Sequence, residues 1–140
     1  MIITDQDPRL LEWIGQKLNT TFDQRTCRTV AHVTATSMCV VVYSRFSQYG
    51  CEITVYSDSP KLATREFLKA IYSYPFIQLG LRRVTFVTRA SNTRAIRLAL
   101  YVGAKQEGRI REAFGDEDGI LLGLLAGDCW LLDDRRAGSA

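Results

Sequence analysis

A strand-like segment followed by a helix-like segment occurs twice in succession in the middle of this chain. The strand-like residues 51–57 precede a helical pattern that begins near Pro60, and a second strand is predicted at residues 82–89. A second helix over residues 91–103 then leads to a strand over 105–113. Strands joined through a helix pair in parallel, because the connection returns the chain to the same end of the sheet. The sequence therefore predicts an α/β fold with parallel pairing at its centre.

The flanking segments predict antiparallel pairing instead. Residues 29–35 and 38–46 are rich in β-branched side chains and are separated by a short polar turn, which is typical of a meander. Strands over 105–113 and 120–125 are joined by the acidic turn GDEDG, and Asp7 with Pro8 marks the start of an N-terminal helix. We expect one mixed, twisted sheet of six to seven strands flanked by helices. It is predicted to form a single domain over residues 1–132, with a flexible tail at 133–140.

Composition narrows the class of protein. The 140 residues are 46% hydrophobic and 24% charged, with a net charge of +3. This mild charge suits a small anionic ligand, and the arginines are scattered among acids, so no nucleic-acid partner is predicted. No apolar run approaches the ~20 residues that span a bilayer, and the first residues lack the pattern of a secretory signal. We therefore expect a cytoplasmic protein without membrane contact.

The cysteines and the single histidine do not have the spacing of a metal site. Cys27, Cys39, Cys51 and Cys129 form no CxxC pair, so neither a zinc site nor any other metal is predicted. Cys39 and Cys51 lie inside strand-like segments and are expected to be buried free thiols. His32 lies in an apolar strand pattern and is predicted to be structural.

Residues 79–114, LGLRRVTFVTRASNTRAIRLALYVGAKQEGRIREAF, resemble the second half of the GNAT acyltransferase domain, as found in small proteobacterial and phage-type members. The matching positions are Arg83, Val84, Asn92, Ala95, Ile96, Gly103, Glu107, Gly108 and Arg111. Upstream, CEITVYSDSPKLATREFLKAIYSYPF has the order of strand, turn and helix of the acyl-CoA site, and the resemblance covers roughly residues 38–132. It implies a GNAT fold whose sheet is splayed between strands four and five.

The resemblance also implies acetyl-CoA as acyl donor. The pantetheine arm is expected in the splayed gap, and the diphosphate over the start of the next helix, where N–H groups and the helix dipole face an anion. The loop that precedes this helix departs from the family, because Asp58 replaces an Arg or Gln and Lys61 replaces a glycine. The expected cofactor contacts are Val55, Tyr56, Ser57, Lys61, Leu62, Ala63, Thr64, Arg65 and Asn92. For Asn92, a role as a helix cap is equally compatible with the sequence.

Two residues are predicted to carry the chemistry. Glu52 begins strand four, where several family members have their general base, although an exposed strand carboxylate is the alternative interpretation. The tyrosine that protonates the leaving thiolate in many members aligns with Ala99, so Tyr56 or a water molecule is expected to replace it. Ala104 stands where the family has an aromatic residue, which predicts a hole or a wider acceptor pocket. Glu107, Arg109 and Arg111 belong either to a solvated strand face or to the acceptor site.

The predicted function is transfer of an acetyl group from acetyl-CoA to an amine, which is a protein N-terminus, a lysine or a small amine. The alternative is a catalytically silent GNAT-like binding protein, such as a phage-encoded accessory or virion protein in the host cytoplasm. The altered loop, Ala99 and Ala104 favour the silent protein, whereas the intact frame and Glu52 favour the enzyme. Either is expected to be a monomer or a homodimer.

Overall fold

The computed structural model describes residues 1–133 and contains one seven-stranded sheet in the order β1-β2-β3-β4-β5-β7-β6. The strands are β1 (Ile2–Ile3), β2 (Arg28–Val33), β3 (Met38–Ser44), β4 (Gly50–Ser57), β5 (Arg83–Arg89), β6 (Lys105–Ile110) and β7 (Gly119–Leu125). The helices are α1 (Pro8–Leu18), α2 (Arg65–Ser73) and α3 (Thr93–Val102). The predicted mixed α/β sheet is confirmed. Most of the predicted tail, residues 134–140, lies outside the described residues.

The first four strands pair in antiparallel register, and the predicted antiparallel pairing of β2 with β3 is confirmed. Each of them pairs with the next along the chain. Because β3 has a neighbour on both sides and is covered on both faces, its residues 39–43 are all buried. Helix α1 covers one face, with Leu11 and Ile14 in the same apolar cluster as Val40. Its first turn is capped by Asp7, whose carboxylate accepts a hydrogen bond from the Arg9 N–H at 3.0 Å.

The opposite face carries α2, α3 and residues 129–132. Val41 and Tyr43 point to this face because side chains alternate along β3. Cys129, Leu131 and Leu132 are buried in the same cluster. The side-chain hydroxyl of Tyr43 donates a hydrogen bond to the carbonyl oxygen of Ile71, so this buried hydroxyl has a partner.

Within residues 1–133, no helix is long and apolar enough to cross a membrane.

Strand β5 has an antiparallel neighbour on one side and a parallel neighbour on the other. It pairs with β7 in antiparallel register at seven positions, from Arg83↔Leu125 to Arg89↔Gly119. It pairs with β4 in parallel at only three, Gly50↔Arg83, Cys51↔Val84 and Glu52↔Thr85. The two strands therefore separate towards their carboxyl ends, as the predicted splay requires. Strand β6 lies outside β7 at the edge of the sheet.

Helix α3 ends at Gly103, as predicted from its sequence. Gly103 has φ 115°, in the left-handed region that favours glycine, and its N–H contacts the carbonyls of Ala99 and Leu100. A Cβ atom at this position would lie 2.1 Å from the carbonyl oxygen of Asp128. Gly103 is thus required both by the reversal of the chain and by the close approach of the segment that follows β7.

Three boundaries differ from the prediction. The helix expected near Pro60 begins at Arg65 instead, because Pro60–Leu62 forms a separate 3₁₀ turn. The sequence also predicts that Pro75 and Gly80 end this helical region, whereas α2 ends at Ser73 and a π-helical turn continues over Tyr74–Gln78. Strand β6 ends at Ile110 rather than at residue 113. In addition, β1 was not predicted, because two residues are too few to show a periodic pattern.

Candidate acyl-transfer site

The gap between β4 and β5 exposes backbone groups of β4. Pairing between the strands ends at Glu52↔Thr85, although β4 continues to Ser57. The N–H of Asp58 donates to Met38 O at 3.2 Å, which fixes the alternation of β4 relative to β3. Residues an odd number of positions from Asp58, such as Val55 and Ser57, therefore direct their N–H and C=O groups towards the gap. This crevice lies outside the carboxyl ends of parallel strands, where open α/β sheets bind ligands.

The side chain of Val55 forms part of the wall of this gap. Val55 is 47% exposed, whereas Ile53, two residues earlier on the same face, is 3% exposed. The sequence pattern placed both on one buried face, and the difference arises because β5 has moved away by the level of Val55. An apolar side chain next to unpaired backbone groups provides both kinds of contact that an alkyl-amide chain needs.

The loop after β4 is ordered by its own hydroxyl groups. Ser57 Oγ donates to Ser59 O at 2.7 Å, and Ser59 Oγ accepts from the Lys61 N–H at 3.2 Å. Asp58 points away from this loop, since its carboxylate accepts a hydrogen bond from the Met38 N–H at 2.9 Å. The acidic residue at the position of the family's Arg or Gln is therefore used as a local cap.

Helix α2 begins beside this loop. Thr64 is its N-cap, and Thr64 Oγ1 accepts a hydrogen bond from the Phe67 N–H at 3.2 Å. The first-turn N–H groups and the positive end of the helix dipole therefore lie immediately after residues 60–63. The helix start on which the anion-binding prediction depends is therefore at Thr64 rather than near Pro60.

The side chain of His32 also contacts the loop between β4 and α2. Its Nδ1 lies 2.9 Å from the carbonyl oxygen of Leu62, and its ring centroid lies 5.2 Å from that of Phe67 in α2. A carbonyl only accepts, so Nδ1 carries the proton in this contact. His32 is structural, as predicted, but its contact with the loop before α2 was not predictable from the local sequence pattern.

Glu52 and Tyr56 lie on the other face of β4, the face that α1 covers. Glu52 Oε2 lies 3.1 Å from Arg45 Nε, at the last position before the strands separate. The ring of Tyr56 packs edge-on against Trp13 of α1, with centroids 5.7 Å apart. Four residues of strand separate their Cα atoms by roughly 13 Å. The two predicted catalytic groups share a face but do not contact each other.

A cluster that sequence reasoning did not assemble lies next to Glu52. Arg83 Nη2 lies 2.7 Å from Glu107 Oε1, and Arg83 Nε donates to Thr85 Oγ1 at 3.2 Å. The ion pair crosses Gly123 of β7, where a Cβ atom would meet both side chains within 2.5 Å. A β-bulge in β6 between Gln106 and Gly108 brings Glu107 to this position. Since the bulge is not readable from the sequence, only the structure shows this contact.

The acidic turn between β6 and β7 is used to fix the start of α3. Glu117 accepts hydrogen bonds from the N–H and the hydroxyl of Ser91, which lower the pKa of its carboxyl group. The Glu112 N–H and then Arg109 lower the pKa of Asp118. Both carboxylates therefore form intramolecular hydrogen bonds that stabilise the turn and the start of α3.

Solved structures with the same architecture decide the fold. No protein-family model matches the chain in sequence, and none of the curated proteins matches it. Ard1 from Thermoplasma volcanium aligns over 89% of this chain and 96% of its own at 16% identity, with a TM-score of 0.70. The spermidine/spermine N-acetyltransferase SpeG from Vibrio cholerae aligns over 90% and 92% at 14% identity, with a TM-score of 0.67. The chain has the GNAT fold.

A third GNAT structure holds ligands. It is the spermidine N-acetyltransferase from Vibrio cholerae in complex with CoA and spermine, which aligns over 90% of this chain and 79% of its own at 16% identity, with a TM-score of 0.64. At these identities the similarity establishes the GNAT fold and leaves the chemistry to be argued from this chain's own residues.

Two GNAT positions that differ in this chain are buried in the core. Ala99 is 7% exposed and Ala104 is 5% exposed, and both pack in the cluster on the α2–α3 face. Because Ala104 is buried in this cluster, the expectation that it opens a wider acceptor pocket is wrong. The small side chain is accommodated by core packing around it.

Two other predicted cofactor contacts have defined partners. Asn92 is the N-cap of α3, since its Oδ1 accepts a hydrogen bond from the Ala95 N–H at 3.2 Å. The guanidinium of Arg65 lies 5.5 Å from the ring centroid of Trp130, whose indole N–H donates to Tyr101 O. The cap role of Asn92 is confirmed. Arg65 belongs to a contact that joins α2 to α3 through Trp130.

Proposed function

We propose that this protein is an N-acetyltransferase that transfers an acetyl group from acetyl-CoA to an amine. The observation that carries the proposal is the open length of β4, where Val55 and Ser57 direct backbone N–H and C=O groups into the gap. A pantetheine arm contains two amides, and it would complete the hydrogen bonding that β5 leaves unmade. The N-terminus of α2 lies at the same end of the gap and suits the diphosphate.

The residues proposed to contact the cofactor form two groups. The pantetheine arm would be lined by Val55, Tyr56 and Ser57, while Asn92 lies at the start of α3 beside the gap. Around the diphosphate, the proposed groups are the backbone of Leu62 and Ala63, the side chains of Lys61 and Thr64, and the first turn at Arg65. His32 supports this group by holding Leu62 in place.

The proposed chemistry is direct transfer. The acceptor nitrogen forms a bond to the thioester carbon, the carbon–sulfur bond breaks, and the amine proton passes to the Glu52 carboxylate directly or through one water. The Val55 N–H faces the gap and would stabilise the carbonyl oxygen as negative charge develops on it. Tyr56, or a water molecule beside it, would return a proton to the leaving thiolate. Since Glu52 and Tyr56 are far apart, they act on different atoms.

The charges on the Glu52 face favour an acceptor with one amino group over a polyamine. Glu52 pairs with Arg45, and Glu107 pairs with Arg83. A polyamine needs several uncompensated carboxylates along its length, whereas these are each matched by an arginine. A protein N-terminus, a lysine side chain or a small monoamine is therefore the proposed acceptor class.

A second candidate function is a GNAT-like binding protein without catalysis. Burial of Ala99 favours it, because the position of the family's usual acid offers no hydroxyl group. The engagement of Arg65 with Trp130 also favours it, because that contact competes with a role in binding the diphosphate.

Two measurements distinguish these functions. Calorimetry with acetyl-CoA, CoA and desulfo-CoA measures binding, and a native-state ligand at ~100 Kd raises the unfolding free energy by ~2.7 kcal/mol. Thiol release with peptide N-termini, lysine peptides and polyamines measures turnover. We expect binding and release with a monoamine acceptor. Binding with no release above the buffer rate across the panel would favour the silent protein. No binding at millimolar acetyl-CoA would contradict the acetyltransferase and leave the GNAT fold standing.

A further inference from the structure

A second cavity opens at the end of the molecule opposite the splayed gap. It lies between the segment that precedes β2, the turn after β3 and the turn after α2, and its volume is about 870 Å³. β3 ends and β4 begins at this side of the sheet, whereas the acyl-transfer gap is at the carboxyl end of β4. The cavity is therefore separate from the gap proposed for the cofactor, and it is linked to the proposed base only through the Arg45–Glu52 ion pair.

The cavity is lined by cations and hydroxyl groups. Arg25, Arg28 and Arg45 come from three different segments, and four Ser and Thr side chains lie between them. No carboxylate is among the described residues that line it. Arg25 and Arg45 pair with Asp23 and Glu52, both outside the lining. Arg28 forms no ion pair within residues 1–133 and donates only to the Cys27 carbonyl oxygen at 2.9 Å.

Aromatic and apolar side chains share the cavity with these cations. Phe22, Phe46 and Tyr74 line it, and Phe46 and Leu79 are 39% and 43% exposed. Arg45, immediately before Phe46, has φ 51°, in the left-handed region that an arginine seldom adopts. Strained residues of this kind cluster at functional sites, so the conformation of Arg45 is compatible with a binding role for the turn.

We infer that this cavity binds a mononucleotide. Arginine guanidinium groups bind phosphate oxygens through paired, charge-assisted hydrogen bonds, and the hydroxyl groups supply further donors. Exposed aromatic rings provide a stacking surface for a base. An inorganic anion would leave the rings uncovered, and an uncharged aromatic ligand would leave the arginines unused. The volume lies within the roughly 300–1,000 Å³ range of small-molecule sites.

The test is calorimetric titration of the full-length protein with ADP, adenosine and inorganic phosphate, each with and without saturating CoA. We expect ADP to bind more tightly than either fragment and with the same affinity when CoA is present. Arg28→Gln should weaken ADP binding about tenfold by removing a charge-assisted contact. Phe46→Ala should also weaken it, several-fold. The matched control Arg111→Gln, an exposed arginine on the β6–β7 turn, should leave it unchanged.

Melting curves of each variant establish that it is folded before its affinity is compared. Absence of ADP binding at about 5 mM, a concentration above the Kd of a weak millimolar ligand, would overturn the assignment. So would adenosine that binds as tightly as ADP, or CoA that displaces ADP. Folded Arg28→Gln and Phe46→Ala variants with unchanged ADP affinity would overturn it as well. A single-stranded oligonucleotide that binds more tightly than ADP, and is weakened by the same variants, would replace the mononucleotide with a nucleic-acid strand.

Discussion

Arg83 of β5 and Glu107 of β6 form an ion pair that passes over Gly123 of the intervening strand, with 2.7 Å between Nη2 and Oε1. The two strands are not neighbours, so the contact joins them across β7. It also places a neutral pair of charges beside Glu52 on the proposed acceptor face. Both side chains are about one-third exposed, so solvent screens the pair and its direct contribution to stability is small.

Gly123→Ala should displace this ion pair at little cost to the fold. The new Cβ would meet Glu107 Oε1 and Arg83 Nη2 at about 2.5 Å, and both are the ends of flexible side chains that can move aside. We expect a loss of at most about 1 kcal/mol in the unfolding free energy, measured by urea denaturation. If the proposed acceptor face is correct, the KM for the amine should rise while CoA affinity stays constant. A loss of several kcal/mol would mean that the side chains cannot rearrange.

Gly103→Ala should be far more damaging. Its Cβ would meet the Asp128 carbonyl oxygen, a backbone atom, and its φ of 115° is unfavourable for any residue with a side chain. We expect a loss of about 2–4 kcal/mol in the unfolding free energy from strain and overpacking. The control is Gly127→Ala, where nothing lies within 4 Å of the new atom. Equal stability of the two variants would contradict the observed approach of residues 126–128 to the end of α3.

Lys61→Glu should weaken acetyl-CoA binding tenfold or more, which corresponds to ~1.4 kcal/mol. Lys61 lies in the turn just before α2, and the substitution adds negative charge beside the proposed diphosphate position. The matched control is Lys105→Glu, which changes the net charge equally at an exposed position on β6. Isothermal titration calorimetry measures both variants. Equal affinities would show that the ligand is not seated at the start of α2.

Glu52→Gln should reduce acetyl transfer by ~10²–10⁴ if Glu52 is the general base. The amide keeps the shape of the side chain but cannot accept the amine proton. CoA affinity should change little, because Glu52 lies on the face opposite α2. The loss should shrink as pH rises, since a growing fraction of the acceptor is then already neutral. Steady-state thiol release measures the rate, and Glu12→Gln, at an exposed position on α1, is the control. If Glu52→Gln turns over as fast as the wild type, Glu52 is not the general base.

The buried thiols should be unreactive in the folded protein. Burial raises the pKa of Cys39 to about 11 and that of Cys51 to about 12, from 9.0, so the reactive thiolate is scarce at neutral pH. Because these pKa values are raised on folding, the associated stability is fully present below pH 9 and is lost as the pH rises towards 11–12. Iodoacetamide at pH 8 should label these two cysteines only in denaturant. Rapid labelling of the native protein would contradict their burial.

Most of the framework was predictable because local signals and the global fold agree. Alternating or continuous apolar runs located β2, β3, β4 and β5, and Asp7 and Gly103 marked helix ends through capping rules. The first residue of α2 was harder to predict. Both Ser59 and Thr64 are capping residues followed by a plausible first turn, and only the tertiary position of Leu62 against His32 favours the later start.

The contacts of the candidate site were less predictable, because they depend on pairing between distant segments. The splay was expected from the family resemblance, but the exposure of Val55 depends on where β5 leaves β4. The bulge that carries Glu107 over Gly123 has no local sequence signature. Ala104 illustrates the same limit, since a missing aromatic side chain indicates extra space without showing which face of the sheet it would open on.

The packing of residues 129–132 has a consequence for biosynthesis. Cys129, Leu131 and Leu132 complete the core between α2 and α3, yet they are among the last of the described residues to be translated. Chains are synthesised from the N-terminus at about 5–20 residues per second, so all seven strands leave the ribosome before this segment does. During that interval the nascent chain would expose apolar side chains on one face of its sheet. We expect molecular chaperones to bind nascent chains whose strands have emerged before residues 129–132 have packed.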